Sequence, residues 1–281
     1  MANEPSRARA RVKTLLRQVL PLQVRKSLAS SLGRRDVWPG RHWWGMELLR
    51  DWADRDPDAF HRFLWHHHLA YAETYEVDRR FGPERVHPTR LLLFEDLEGW
   101  FTRSGRSPTG VHTVYEVGCS LGYLLRYLET GLFAGADVLE GVDLDRHAVE
   151  RGREHLARLG SRVRIHAGDL ADLESHLSRP AYDVVLCAGV LMYLTAGEAE
   201  RVVASILRHT GTVAAFAGLA HPDADNATLN RSVRRDRDGT WIHNIDGMVT
   251  RSGGAVLYRR WEGPRIVDGN TIYFVFAAPA P

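Results

Sequence analysis

Three carboxylates follow short apolar runs in the middle of the chain. Glu116 ends "VYE", Asp143 ends "LEGVD" and Asp169 ends "IHAGD". Short apolar runs that stop at a turn predict strands. If these strands are parallel, their carboxyl ends lie along one edge of a sheet, where open α/β folds bind ligands. Carboxylates there can accept hydrogen bonds from hydroxyl groups or pair with an ammonium group.

A glycine turn, "GCSLG", follows the first of these strands. Gly118 and Gly122 lack a Cβ, so the backbone can come close to a ligand, and the next helix begins with free N–H groups. A dinucleotide fingerprint has different glycine spacing, and Glu116 would repel a pyrophosphate. Asp143 stands 21 residues after Gly122, where an acid can accept both hydroxyls of a ribose. The pattern favours a ligand with an amine and a ribose over a nicotinamide dinucleotide.

The elements that position these residues alternate between strands and helices from residue 112 onward. Strands are predicted at "HTVYEV", "DVLEGVDL", "RVRIHAGD", "YDVVLCAGV" and "TVAAFAGL". Thr195 and Glu198 predict a capping box for a helix that ends at Gly211. Such alternation predicts a parallel sheet with helices on both faces.

The end of the chain has a different pattern. Residues 221–240 are polar and turn-rich, which is typical of a lid or binding loop. A short helix is predicted at about 244–252. "AVLYRR" and "TIYFVFA" then predict an antiparallel hairpin joined through "WEGPRIVDGN". The predicted fold is a Rossmann-like, seven-stranded, mostly parallel sheet closed by this hairpin, preceded by an N-terminal helical cap.

The residues before the sheet divide into a basic amphipathic arm, 1–35, and a helical region, 36–108, ahead of the domain 109–281. The arm carries nine arginines and lysines against Glu4. It predicts either contact with an anionic surface or a helix that packs on its own domain or on a second subunit, which would allow a homodimer. In the helical region, Asp58 is predicted to cap a helix, and Pro88 opens another.

Composition limits the classes of function and location. A formal net charge of +2 over 281 residues does not favour nucleic acid as a partner. No apolar run reaches the roughly 20 residues of a membrane span, and a signal-peptide pattern is absent. We therefore expect no stable membrane insertion. Cys119 and Cys187 are expected to be reduced thiols of a cytoplasmic protein.

Taken together, these motifs resemble those of class I S-adenosylmethionine-dependent methyltransferases. "VYEVGCSLG" matches the first motif of that family, "GVDLD" its second acidic position, "AGDL" its adenine-side acid and "YDVVLCAGVLMYL" its fourth strand. Ser120 replaces the middle glycine of the first motif. The resemblance covers about residues 112–220 and leaves 1–105 as a variable substrate-side cap.

The resemblance implies S-adenosylmethionine as the cofactor and S-adenosylhomocysteine as its product. The implied cofactor residues are Glu116, Gly118, Cys119, Ser120, Gly122, Asp143, Leu144, Asp169, Leu170, Cys187 and Ala188. In this family Glu116 would favour the ammonium group and Asp143 would hold the ribose. Leu144, Asp169 and Leu170 would lie beside the adenine, and Cys187 and Ala188 would face the sulfonium. Taken singly, each carboxylate could instead be a solvated strand end or a cap on the next helix.

Catalysis of methyl transfer requires mainly alignment, and a general base only for an acceptor with a tightly held proton. Tyr193, His221 and His243 are the candidate catalytic residues, since they lie where the family builds its substrate pocket. Trp241, Tyr71 and Tyr75 are candidates for the pocket wall. For each, a purely structural role is the alternative. No metal is predicted, because neighbours in the "HHH" run at 66–68 do not share a helix face and no H-E-x-x-H spacing occurs.

The predicted function is methyl transfer to an oxygen, nitrogen or carbon of a small molecule, such as a natural-product intermediate. The N-P-P-Y-type signature of several amino-methylating relatives is replaced by "CAGVLMYL", which argues against adenine or glutamine methylation in nucleic acid or protein. Two alternatives stay open. The enzyme could instead use the aminobutyrate chain of the cofactor and release methylthioadenosine, with Trp44, Tyr71 and Tyr75 shielding the sulfonium, or the fold could be a non-catalytic binding module.

Overall fold

The computed structural model describes residues 19–33, 41–70 and 77–280, and the chain divides into two compact units, Met1–Tyr75 and Glu76–Pro281. The described helices of the first unit are α1 (Leu22–Gly33), α2 (Arg41–Leu48), α3 (Arg50–Arg55) and α4 (Pro57–His66). Trp52 packs edge-on against Phe60 and Phe63 at ring-centroid distances of 6.1 and 5.5 Å.

Two polar residues define local structure in the first unit. Arg25 of α1 is buried, donates from Nη1 to the Leu48 carbonyl at 2.8 Å and pairs with Asp51. This arginine therefore packs within its own unit. The side chain of Asp56, and not the predicted Asp58, caps α4 by accepting from the Ala59 amide at 3.1 Å. The reason is Pro57, which favours the first helical position and moves the cap one residue ahead of it.

The second unit contains the alternating elements. Its helices are α5 (Val77–Arg80), α6 (Pro88–Arg103), α7 (Tyr123–Thr130), α8 (Arg146–Arg158), α9 (Ala196–Arg208) and α10 (Ile245–Arg251). Its strands are β1 (Thr113–Val117), β2 (Val138–Asp143), β3 (Arg164–Ala167), β4 (Tyr182–Ala188), β5 (Thr210–Ala217), β6 (Val233–Arg234), β7 (Trp241–Ile242), β8 (Gly254–Val267) and β9 (Asn270–Pro279). The capping box of Thr195 and Glu198 opens α9 as predicted.

Seven of these strands form one sheet in the order β3-β2-β1-β4-β5-β9-β8. Strands β1 to β5 are parallel, and β9 pairs antiparallel with β5 and with β8. The predicted fold class is confirmed. Strand order reverses between β1 and β4, so a crevice opens there beyond the carboxyl ends of both strands.

Apolar side chains of both sheet faces are covered by helices. Along β1, Val114 faces a cluster that includes Leu97 of α6 and Leu125 of α7, whereas Tyr115 faces a cluster that includes Ile206 of α9. Helix α6 thus packs on the sheet within the second unit. Its position places the first turn of α6 close to the crevice.

The closing hairpin is longer than its sequence predicts. Most of "WEGPRIVDGN", the segment predicted to be a connection, belongs to β8. Only Asp268 and Gly269 form the turn before β9. Both have positive φ, 47° and 81°, the backbone conformation that Asp-Gly supplies in tight hairpins. Pro264 is tolerated because β8 lies at the sheet edge, and the register shifts between Trp261 and Ile266.

Candidate active site

The crevice collects side chains from three neighbouring strands. In the parallel register, Val117 of β1 lies opposite Cys187 of β4, and Glu116 lies opposite Gly141 of β2. Asp143 ends β2 two residues later. The topology therefore brings Glu116, Asp143 and Cys187 to the same edge of the sheet, as the sequence predicted.

The glycine turn is held against the end of β2. The amides of Gly118 and Cys119 donate to the Val142 carbonyl at 2.8 and 3.0 Å. Gly118, Ser120 and Gly122 have φ values of 76°, 49° and 78°, in a region that side chains rarely adopt. A Cβ on Gly118 would lie 2.2 Å from a methyl of Val190, so glycine is required there for space as well as for conformation.

Asp143 braces this turn. Its Oδ2 accepts from the Ser120 amide and its Oδ1 from the Asp145 amide, both at 2.8 Å. Burial raises the pKa of Asp143 to about 6, although these amide donors oppose the rise. A carboxylate has about four lone-pair sites, so each oxygen keeps capacity for a ligand hydroxyl.

Two buried oxygen atoms at the turn have no hydrogen-bond partner, Oε2 of Glu116 and Oγ of Ser120. Glu116 is only 3% exposed. Burial raises its pKa to about 8, partly offset by the positive charge of Arg90. A buried acceptor without a partner costs about 1–3 kcal/mol. A ligand that supplies donors to these atoms would remove that cost, which is the fit expected for an ammonium group beside Glu116.

Arg90 is a site residue that the sequence motifs did not identify. It lies in the first turn of α6, and its Nη2 donates to the Ala188 carbonyl at 3.0 Å. A Cβ on Gly189 would lie 2.4 Å from the same Nη2, so Gly189 makes room for the guanidinium. None of the ion pairs formed by described residues involves Arg90. It can therefore bind an anionic group of a ligand.

The predicted adenine side is formed at the ends of β2 and β3. Asp169 is half-buried, and its Oδ1 accepts from the Ala171 amide at 3.0 Å. Leu144 and Leu170 are half-buried too, and the Gly168 amide donates to the Asp143 carbonyl at 2.9 Å. Partly exposed leucines beside a carboxylate suit a flat base with an amino group.

The predicted sulfonium side contains a buried thiol. Cys187 is fully buried, and burial raises its pKa to about 12. Burial also raises the pKa of Cys119. Both thiols are therefore protonated at neutral pH, which makes them packing residues rather than nucleophiles. Ala188 is half-buried and adds apolar surface next to Cys187.

The candidate catalytic histidines are engaged in local hydrogen bonds. Nδ1 of His221 accepts from the amides of Asp223 and Ala224 at 3.1 and 3.2 Å. Nε2 of His243 contacts the Leu191 carbonyl at 2.9 Å, and its Nδ1 contacts Oγ of Ser232 at 2.7 Å. His243 thus links the end of β7 to the 3-10 turn that follows β4.

Tyr193 and Trp241 lie on that same side of the crevice. Burial raises the pKa of Tyr193, with Asp238 adding to the rise and Arg235 and Arg90 opposing it. Trp241 of β7 stacks on His243 at 6.3 Å, and the guanidinium of Arg234 lies 4.1 Å from the Trp241 ring centre. Tyr71 and Tyr75, the other predicted wall residues, lie outside the described residues.

Asn226 organises the polar connection after β5. It is fully buried. Its Nδ2 donates to the carbonyls of Leu219 and His243. Its Oδ1 accepts from the His221 amide and from Trp261 Nε1, so both ends of the side-chain amide are hydrogen-bonded twice. These bonds measure 2.8–3.0 Å. The sequence predicted a lid or binding loop here, but no pattern identified Asn226 as the residue that holds it.

In ranges 19–33, 41–70 and 77–280, no group of three or more histidine, cysteine or acidic side chains could hold a metal ion. Within the same ranges, every helix is too short or too polar to cross a bilayer.

Comparison with known proteins identifies the domain. A family model described as a methyltransferase domain matches residues 115–213, whereas no curated protein matches the sequence. Magnesium protoporphyrin IX methyltransferase from Synechocystis PCC 6803 has a similar fold in two solved structures. With bound SAH the TM-score is 0.54 at 15% identity, covering 80% of this chain and 100% of that chain. With bound SAM the TM-score is 0.50 at 17% identity, covering 83% and 96%.

These comparisons define the class of protein. The seven-stranded sheet is the class I Rossmann-like fold of methyltransferases, and the family match covers β1 to β5, where the glycine turn and the acidic strand ends lie. Residues 115–213 are a methyltransferase domain, and the sheet that contains them has the fold of the class I S-adenosylmethionine-dependent enzymes. The predicted family, enzyme class and cofactor are thereby confirmed.

Proposed function

We propose that this enzyme transfers the methyl group of S-adenosylmethionine to a small molecule, such as an intermediate of secondary metabolism. The observation that carries the proposal is the pair of unpartnered buried oxygens, Glu116 Oε2 and Ser120 Oγ, beside the guanidinium of Arg90. An amino acid group carries one cation and one anion. Glu116 would accept from its ammonium group, and Arg90 would pair with its carboxylate.

The remaining cofactor residues would hold the nucleoside. Asp143 has lone pairs left for the ribose hydroxyls after bracing the glycine turn. Asp169 would accept from the adenine amino group, with Leu144 and Leu170 against the ring. These assignments follow the order of the strands, so the nucleoside would extend from β1 toward β3 and the sulfonium would lie toward β4.

The cofactor supplies a methyl group already activated by its sulfonium. The task of the protein is then to orient the acceptor in line with the methyl–sulfur bond, and such positioning contributes about 7–11 kcal/mol in favourable cases. Cys187 and Ala188 provide an apolar floor at the end of β4. Arg90 and Glu116 fix the amino acid end, which sets the direction of the methyl group.

Support for a small acceptor comes from the hairpin of β6 and β7. Val233 pairs with Ile242 and Arg234 with Trp241, and His243 anchors the hairpin to the turn at Leu191. Trp241 and Tyr193 would therefore border the acceptor side of the crevice. An aromatic wall of this kind suits a compact organic molecule.

The by-product of the reaction tests the proposal. The full-length protein would be incubated with S-adenosylmethionine and a protein-free cell extract, and the nucleoside products identified by mass. Methyl transfer yields S-adenosylhomocysteine and an equal amount of methylated acceptor. Release of methylthioadenosine would contradict it and support use of the aminobutyrate chain. Failure to bind the cofactor in calorimetry would instead favour a binding module.

Other predictions concern the surroundings of the enzyme. A cytoplasmic location, the absence of nucleic acid partners and a homodimer formed through the N-terminal helices stay predictions, as does the role of residues 36–108 as a substrate-side cap. Light scattering of the full chain and of a chain that begins at residue 36 would test the homodimer. A dimer that persists without residues 1–35 would contradict a role for the arm in it.

A further inference from the structure

The tautomer of His221 follows from its partners. Two backbone amides, of Asp223 and Ala224, donate to Nδ1. An imidazole nitrogen that accepts hydrogen bonds carries no proton, so the neutral ring carries its proton on Nε2. His221 could take up a proton only at Nδ1, which would break both amide bonds. Its geometry is that of a turn cap and not of a general base.

His243 has no free lone pair either. The Leu191 carbonyl can only accept, so Nε2 of His243 donates to it and Nδ1 accepts from the Ser232 hydroxyl. The ring is 3% exposed, and burial lowers its pKa. Protonation would create a buried cation and would require the Ser232 hydroxyl to turn from donor to acceptor. The buried ring is therefore a poor acceptor for a proton from the substrate.

The other titratable groups on this side are also unsuited to take a proton. The raised pKa of Tyr193 keeps its hydroxyl neutral at pH 7. Asp238 accepts from Nε of Arg235 at 3.0 Å, from the Thr240 amide at 3.2 Å and from Oγ1 of Thr240 at 2.7 Å. Among the described residues that border the acceptor side, both histidines use their acceptor nitrogen in a hydrogen bond, and Tyr193 stays a neutral phenol.

The charges of the site favour an anionic acceptor. With the cofactor held as proposed, its carboxylate is matched by Arg90 and its ammonium by Glu116, which is protonated in the ligand-free enzyme and would ionise beside this positive charge. Arg235 is paired with Asp238. Of the charged groups just named, only the sulfonium of the cofactor then lacks an opposite charge, and an anionic acceptor would supply it. An ammonium acceptor would be repelled and would need deprotonation, whereas a carboxylic acid, with an ordinary pKa of about 4, is already ionised at neutral pH.

We infer that the acceptor atom is a carboxylate oxygen and that the product is a methyl ester. This inference rests on the proposed methyl transfer. A lone pair of the carboxylate oxygen forms the new bond to the methyl carbon, and the carbon–sulfur bond breaks with its electrons staying on sulfur. S-Adenosylhomocysteine leaves as a neutral thioether. No proton is released, so no general base is required.

The stability of the label in alkali distinguishes an ester from other products. The full-length enzyme would be given methyl-labelled S-adenosylmethionine and a protein-free cell extract, and the product would then be treated with alkali. A methyl ester hydrolyses and releases labelled methanol, which is volatile. We expect the label in the volatile fraction. Label that stays in an alkali-stable ether, amine or carbon-methyl product would overturn the inference while leaving methyl transfer intact.

Proton release provides a second readout. Transfer to a carboxylate releases no proton for each S-adenosylhomocysteine formed, whereas transfer to an alcohol, phenol or ammonium group releases one. A weakly buffered assay with an indicator dye measures this ratio. A ratio near one would overturn the inference. Absence of S-adenosylhomocysteine together with absence of cofactor binding would count against the proposed function itself.

A substitution of His221 distinguishes a structural role as a turn cap from a catalytic role as a general base. In His221→Asn the amide oxygen can accept from the same backbone N–H groups as Nδ1. We expect the turnover rate to fall by less than tenfold and its pH profile to keep its shape. Removal of a general base typically costs about 100- to 10,000-fold. A loss of that size, with an unchanged melting temperature, would contradict the inference.

Discussion

Nη2 of Arg90 donates a 3.0 Å hydrogen bond to the carbonyl oxygen of Ala188, which joins the first turn of α6 to the carboxyl end of β4. The bond crosses 98 positions of sequence. It places a guanidinium beside the buried carboxyl of Glu116, whose pKa it lowers against the effect of burial. In the proposed binding mode, this helix residue from outside the recognised motifs would complete the cofactor end of the crevice.

Removal of Arg90 should weaken cofactor binding. We expect Arg90→Ala to raise the dissociation constant of S-adenosylhomocysteine by about tenfold or more, since charge-assisted hydrogen bonds are about twice as strong as neutral ones. Arg90→Lys should recover part of the loss, because an ammonium keeps the charge but not the fork geometry. Isothermal titration calorimetry measures both variants. The control is Arg106→Ala, an exposed arginine just beyond α6; equal losses in the control and Arg90→Ala would contradict the assignment.

Asp143 should matter more than an aspartate at the other end of the same strand. We expect Asp143→Ala to weaken binding of the cofactor by at least about tenfold, because the ribose hydroxyls and the Ser120 amide both lose an acceptor. Asp137, which precedes β2 and is exposed, provides the matched control as Asp137→Ala. Calorimetry of both variants checks the expectation. Unchanged affinity in Asp143→Ala would refute the ribose assignment.

Glu116 should make the ligand-free enzyme less stable as pH rises. Its folded pKa, about 8, lies above the ordinary 4.5. Between these values the folded state holds a proton that the unfolded state has lost, so stability falls with increasing pH. At about 1.4 kcal/mol per pKa unit, the effect amounts to several kcal/mol.

The matching variant is Glu116→Gln, which stays neutral at every pH. The quantity to compare is the melting temperature of the variant minus that of the wild type. This difference should be several degrees larger at pH 8 than at pH 5, at about 2–4 °C per kcal/mol for a domain of this size. Its affinity for the cofactor should fall. Thermal scans of Glu98→Gln, an exposed control on α6, should show no such pH dependence. A difference that does not change with pH would contradict the buried, protonated state of Glu116.

Gly118 is expected to tolerate no side chain. Gly118→Ala combines a φ of 76° with a contact of 2.2 Å to Val190. Gly160 has a φ of 60° but open space around it, so Gly160→Ala reports the conformational cost alone, about 1–2 kcal/mol. We expect Gly118→Ala to lower the melting temperature by clearly more than Gly160→Ala and to impair cofactor binding. Equal effects of the two substitutions would show that the close approach to Val190 is unimportant.

Most of the sheet and half of its crevice could be predicted from the sequence. Apolar runs that end at Glu116 and Asp143 place these carboxylates by strand periodicity alone, since parallel strands align their carboxyl ends. Arg90 could not be found in this way. Its contact with Ala188 depends on how α6 packs on the sheet, and one arginine in the first turn of a leucine-rich helix carries no spacing signal.

The roles of the histidines and the length of the closing hairpin also depend on tertiary contacts that the sequence pattern does not contain. Sequence position placed His221 and His243 near the acceptor side, but their partners, which determine the tautomer, come from turns and strands folded around them. The extent of β8 was underestimated because Pro264 and Gly263 read as a connection. At a sheet edge, where one side of the strand needs no partner, both residues are compatible with a strand.

The most direct test of the account is a crystal structure of the full-length enzyme with S-adenosylhomocysteine. We predict the amino group of the ligand within hydrogen-bond distance of Glu116, its carboxylate on Arg90 and its ribose hydroxyls on Asp143. Ser120 Oγ should gain a polar partner. A ligand bound away from the β1–β4 crevice, or one bound there with its amino acid end far from both Glu116 and Arg90, would contradict the central claim.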